Sequence, residues 1–172
     1  QYYPSLFHFN QRIDEELTIL LYHGVTNTES QGIANYSKKH LPVDEFRSQM
    51  EYISQNCHLL SMEEVSEYCR TKQPFPKQSV AVTCDDSFEN IHSVAFPILK
   101  EFNIPFTFYL TTYFVDSQKM YWVDVIEDCL NHSEVDEISV PHIDDVLVLH
   151  TFEDKLHALN VIKGSVSYTH LT

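Results

Sequence analysis

The sequence is poor in basic residues. Eleven lysines and arginines face 25 aspartates and glutamates, and the formal net charge is −14. A surface of that sign repels phosphate backbones and anionic lipid headgroups, which argues against nucleic acid and membrane partners. Glycine is scarce as well, with only Gly24, Gly32 and Gly164. With no repeat and no low-complexity linker, the chain reads as one domain or part of one. No apolar run approaches the ~20 residues that a membrane span needs. The four cysteines, Cys57, Cys69, Cys84 and Cys129, show no Cys-x-x-Cys spacing, which excludes a zinc knuckle and a dithiol redox motif. At 172 residues, 43% hydrophobic and 13% aromatic, the chain buries a core without disulfide staples. The cysteines are therefore expected as buried thiols.

What is present alternates between strand and helix. "LTILLY" (17–22) is a short apolar run and reads as a buried strand. Residues 23–41 read as a long loop. "VDEFRSQMEYISQN" spaces Phe46, Met50 and Ile53 for one buried helical stripe. "HLLS" is a candidate short strand, and Ser61 with Glu64 forms a capping box for a helix lined by Met62, Val65 and Cys69. "SVAVTC" (79–84) is a strand. Ile91, Val94, Ile98 and Phe102 then follow a helical period, with Pro97 kinking or restarting the helix. "PFTFYLT" is a further strand, so the central block is β–turn–α–β with two parallel strands. "MYWVDVIEDCLNH" reads as a helix and "DVLVLH" as a strand. Thr151 with Asp154 opens a last helix ending near Gly164. Residues 165–172, "SVSYTHLT", fit nothing before them and are set aside as a non-native tail.

Asp85 and Asp86 stand side by side where strand 79–84 feeds the next helix. The bland account is capping, because Asp86 with Glu89 has capping-box spacing. The functional account rests on position: the carboxyl end of a parallel strand is where open α/β sheets and barrels place their sites. Neighbouring residues leaving a strand diverge. One acid can then hold a cation while the other addresses water, and a divalent ion lets both stay ionised.

"SVAVTCDDSFENIHSVAFPILKEFNIPFTFYL" resembles the first signature of the polysaccharide deacetylases, metal-dependent carbohydrate esterases with a distorted (β/α) barrel. The family's usual form is Thr-Phe-Asp-Asp-Gly, a helix, then "IPATFFL". "LTILLYHGV" is similar to the first strand of one branch, and "YWVDVIEDCL" to an insertion in that branch. The resemblance runs from Leu17 to Leu130. It implies an α/β fold, here a partial distorted (β/α) barrel truncated before the later strands, with residues 1–164 as the N-terminal part of the catalytic domain. By the same resemblance Asp85 is the general base and Asp86 a metal ligand, in a hydrolase that removes N-acetyl groups from amino sugars of a polysaccharide or glycan. The metal is a divalent cation, with zinc suiting an Asp/His/His set.

The sequence departs from the family in places. Cys84 replaces Phe, and Ser87 replaces Gly. The family's second motif, His-x-x-x-His, is missing: no two of the ten histidines are four apart. The second and third protein ligands are thus absent, and the chain is expected to be an N-terminal fragment, inactive alone. His23, Ser87 and Trp122 are candidates for the site rim. His23 follows an apolar strand, and Trp122 with Tyr121 suits the apolar face of a sugar. The bland alternatives are a loop histidine and helix core. Two other readings stay open: a carbohydrate-binding pseudoenzyme of the same fold, and a Mg²⁺-dependent phosphotransfer domain. Localisation stays open between bacterial cytoplasm and cell envelope, and so does the oligomeric state.

Overall fold

The computed structural model describes residues 17–86, 88–115 and 119–169, the last four as backbone only. Ser87 lies outside them, as do residues 170–172 of the segment set aside as a tail. The described residues form two compact units, 17–28 with 38–115, and 29–37 with 119–169.

The first unit is built around β5 (Ser79–Cys84), whose six residues are all buried. Its sequence carries no charge and no alternation, as a parallel strand covered on both faces requires. β1 (Leu17–Tyr22) pairs with it in parallel along its whole length, from Leu17 opposite Ser79 to Tyr22 opposite Cys84. The other edge of β5 is shared by β4 (His58–Leu59) at its start and β6 (Phe106–Phe108) at its end, both parallel. Alternation then separates the two faces of β5. Val80, Val82 and Cys84 enter the main core with Tyr22, Phe46, Met50, Ile53, Ile98 and Leu99. Ala81 packs on the opposite side with Leu60 and Val65.

The helices follow their sequence patterns. α1 (Val43–Asn56) buries Phe46, Met50 and Ile53, and Phe46 meets Tyr22 edge-on at 5.0 Å. Full burial of each such side chain stabilises the fold by roughly 1.5–3 kcal/mol. α2 (Met62–Thr71) starts at the expected capping box. The Glu64 N–H donates to Ser61 Oγ at 3.2 Å, and the Ser61 N–H donates to Glu64 Oε2 at 2.8 Å. Pro97 marks a restart. A π-helical turn, Ile91–Ala95, runs into α3 (Phe96–Glu101), which has Pro97 in its first turn. Proline lacks the N–H for an α-helical bond back to residue 93 and crowds that carbonyl. The chain widens by one residue instead, and the Phe96 N–H bonds to the Ile91 carbonyl.

Four expectations are corrected. Residues 23–41 are not all loop: β2 (Gly24–Thr26) pairs in parallel with β3 (His40–Pro42). Only Cys84 is a buried thiol; Cys57 is half-buried, and Cys69 and Cys129 are exposed. Val65 alone is fully buried on α2, because a ten-residue helix at the surface turns one narrow stripe inward. The last helix, α5 (Phe152–Thr169), runs through Gly164 instead of ending there. A mid-helix glycine costs about 1 kcal/mol without forcing a stop.

In the second unit α4 (Trp122–His132) and α5 bury Leu130, Ala158, Leu159 and Ile162 with Ile33, Leu147 and Leu149. β7 (Glu137–Ile138) and β8 (Leu147–Val148) form a two-residue antiparallel bridge. The segment 29–37 is tied to α4 through side chains. The Ile33 N–H donates to Asn131 Oδ1 at 2.8 Å and the Asn35 N–H to Glu127 Oε1 at 2.7 Å. Gly32 has φ +56°, and a Cβ there would lie 2.1 Å from Asn131 Oδ1, so this turn requires glycine.

Candidate active site

The ladder of the main sheet continues past the end of β5. The Asp85 N–H donates to the Tyr22 carbonyl at 2.9 Å, and the Tyr109 N–H donates to the Cys84 carbonyl at 2.8 Å. Extending the register by one residue aligns His23, Asp85 and Tyr109 in a row along the carboxyl edge of the sheet. Cys84 points into the core, so alternation turns this row to the opposite face. Asp85 is half-buried, and its Oδ1 is buried with no hydrogen-bond partner among the described residues. A buried, unpaired carboxylate oxygen is costly and points to something it is built to receive.

Asp86 follows with φ +70°. That left-handed backbone is not the extended conformation of an N-cap, and aspartate is among the few residues that tolerate it. Its Oδ2 lies 3.8 Å from His23 Nε2, beyond direct hydrogen-bond length and within reach of an ion pair when the ring is protonated. The two carboxylates therefore have different surroundings: Asp85 carries a buried Oδ1 with no partner among the described residues, and Asp86 faces His23.

A second contact braces this edge. Gly24 stands opposite His40 in the β2–β3 pairing. Asn90 Nδ2 lies 2.8 Å from His40 Nδ1, and the His40 ring meets Phe88 edge-on at 4.6 Å. A Cβ on Gly24 would sit 2.0 Å from His40 Nδ1 and 2.9 Å from Asn90 Oδ1. The strand that directly follows His23 is thus fastened to the segment that follows the acid pair. Sequence reasoning singled out neither His40 nor Asn90. The available signal was Gly24, since a glycine inside a strand marks close approach of another group.

Of the residues expected at the site, Asp85, Asp86 and His23 come together. Trp122 belongs to the second unit, where it is 45% exposed at the first position of α4. For a metal, the donor set in hand is short. Among the described residues no three His, Cys, Asp or Glu side chains are placed to hold an ion. Asp86 with His23 makes two donors, and a catalytic zinc takes three protein ligands. The described residues do not fit a complete metal centre.

Residues 72–141, spanning β5, the acid pair, β6 and α4, match the family model for polysaccharide deacetylase. Over 135 residues the chain is 30% identical to the poly-beta-1,6-N-acetyl-D-glucosamine N-deacetylase of Staphylococcus epidermidis, covering 78% of this chain and 42% of that protein. Residues 72–141 are a polysaccharide deacetylase domain segment. A second relative, the protein of the same description from Staphylococcus aureus, is 34% identical over 100 residues, 58% of this chain and 33% of its own. Among solved structures, the Streptococcus pyogenes deacetylase PplD in complex with acetate superposes with a TM-score of 0.51 at 24% identity, over 67% of this chain and 52% of that one. The α/β fold expected from sequence is the deacetylase fold. The chain spans less than half the length of the two staphylococcal deacetylases it matches. No helix among the described residues is long and apolar enough to cross a membrane.

Proposed function

We propose that the chain carries the first acid motif of a hydrolase that removes N-acetyl groups from the amino sugars of a polysaccharide. Poly-β-1,6-N-acetylglucosamine, the polymer named for its relatives, is the leading candidate. The observation that carries this reading is the unpaired, buried Oδ1 of Asp85 at the sheet's carboxyl edge, beside a second carboxylate with a separate environment. In this reading the first unit is the opening part of a distorted (β/α) barrel.

Asp85 is the general base. It accepts a proton from water as that water attacks the acetamide carbonyl, and its half-burial keeps bulk solvent from competing for the same oxygen. Asp86 is held by its left-handed turn as a ligand for a divalent cation, zinc being the best match. His23 lies at the rim beside it, and a later His-x-x-x-His pair would complete the set. When bound, such a cation polarises the carbonyl and lowers the pKa of water. Ser87 and Trp122 remain proposed rim residues.

The test is acetate release from poly-β-1,6-N-acetylglucosamine by the full-length protein carrying this chain. Asp85→Asn is expected to lower turnover by roughly 10²–10⁴-fold, the usual worth of a general base, with unchanged circular dichroism. Retained turnover in that variant would remove Asp85 from the role.

A further inference from the structure

We propose that Tyr109 is a substrate-contacting residue, whose ring packs against a pyranose ring of the acetylated polymer next to the scissile acetamide. The inference rests on the deacetylase reading and adds a specificity residue to it. The register puts Tyr109 level with Asp85 on the neighbouring strand edge, through its N–H bond to the Cys84 carbonyl. Alternation places it on the same sheet face as Asp85 and His23. Tyr109 is 49% exposed. Other tyrosines of the described chain are tied down: the Tyr22 hydroxyl donates to Gln49 Oε1 at 2.7 Å, and the Tyr36 hydroxyl meets Asn160 and Lys163. Tyr109 has neither a hydroxyl partner nor an aromatic neighbour among the described residues.

A pyranose presents an apolar face of C–H groups rimmed by hydroxyls. A tyrosine ring offers the complementary surface, flat and apolar with one polar tip, at low conformational cost. On the same face, beyond Asp85 and across β5, β1 exposes Leu21. A base at Asp85 needs its acetamide held in place, and a wall one strand away contacts the sugar that carries it.

The experiment uses the full-length protein with N-acetylglucosamine oligomers. Tyr109→Ala is expected to raise KM about 2- to 12-fold, the equivalent of an aromatic contact of roughly 0.5–1.5 kcal/mol, with kcat changed less. Tyr109→Phe keeps the ring and stays within about twofold of wild type on the same scale. Tyr109→Leu keeps bulk without a flat ring and is expected to resemble the alanine variant. Equilibrium binding of the oligomer to Asp85→Asn protein, with and without Tyr109→Ala, should show the same loss of affinity. Melting temperatures of the variants should match wild type, because the ring is half exposed. If Asp85-dependent acetate release is intact and the alanine variant has wild-type KM and affinity, the inference is overturned while the deacetylase reading stands. A leucine variant that binds like wild type overturns it too. Absence of acetate release from wild-type protein removes the deacetylase reading and this inference together.

Discussion

Cys84 sits directly before the proposed base and points the other way, fully buried in the core. Burial pushes its thiol up to about 12, and the neighbouring Asp85 charge adds to the shift. Thiol chemistry runs through the thiolate, so Cys84 should resist iodoacetamide at pH 8 in the folded protein. Cys69 and Cys129, exposed on their helices, should label; peptide mass spectrometry distinguishes the three. The same shift makes stability depend on pH. The folded value lies above the ordinary thiol value of 9.0, so above about pH 9 the unfolded chain releases a proton that the folded chain keeps. The stabilisation is whole below that point and is lost as pH rises toward 12. Between pH 8 and 10 the loss is about 1.4 kcal/mol. Urea melts of wild type should show this slope, and Cys84→Ala should flatten it; equal slopes would mean that the thiol is not shielded as its burial indicates.

Two helices begin with reciprocal caps, and both tie stability to acid. Glu64 is held below the usual carboxylate range, first by the Ser61 backbone N–H and then by the Ser61 hydroxyl. Asp154 is lowered by the Thr151 side chain first and its backbone second. Depressed carboxyls contribute above the ordinary carboxylate pKa, and the contribution disappears as pH falls through the folded value. Ser61→Ala and Thr151→Ala should each cost about 1 kcal/mol at pH 7 and progressively less in melts approaching pH 3. A cost independent of pH would assign the caps no ionic part. Gly24 makes a harder element-level case. With alanine there, the His40 ring must move, although Phe88 and Asn90 hold it. Overpacking of this kind costs roughly 1–3 kcal/mol, and it displaces the strand that directly follows His23. Gly24→Ala should therefore lower both the melting temperature and acetate release, whereas unchanged values would show that His40 swings away freely. The long elements were legible because their apolar patterns are local: α1 and α4 follow from a helical period, β1 and β5 from short continuous apolar runs. β2, β3 and β7 were not, since strands of two or three residues carry no period and exist only because another segment lies beside them.

At the scale of the whole chain, the site was half legible for the same reason. Asp85, Asp86 and His23 stand at the ends of strands that the sequence marks. His40, Asn90 and Tyr109 reach the same edge through registers between strands separated by long stretches of chain, which no local pattern encodes. The count of metal donors, by contrast, is fixed by sequence. Ten histidines with no pair four apart cannot place two rings on one helical turn. Among the described residues His23 Nε2 stands 3.8 Å from Asp86 Oδ2, and no three His, Cys, Asp or Glu side chains are placed to hold an ion. Two donors leave zinc far short of a closed centre, and affinity falls steeply with each ligand missing. The 172-residue chain, incubated with Zn²⁺ and passed through gel filtration, should therefore keep well under one equivalent by atomic emission. A longer chain that adds a His-x-x-x-His pair should keep about one, and lose most of it on Asp86→Asn. Stoichiometric zinc on the short chain, removable by chelator and absent from its Asp86→Asn variant, would show that the donors are already complete here and that the division of labour proposed for the two aspartates needs redrawing.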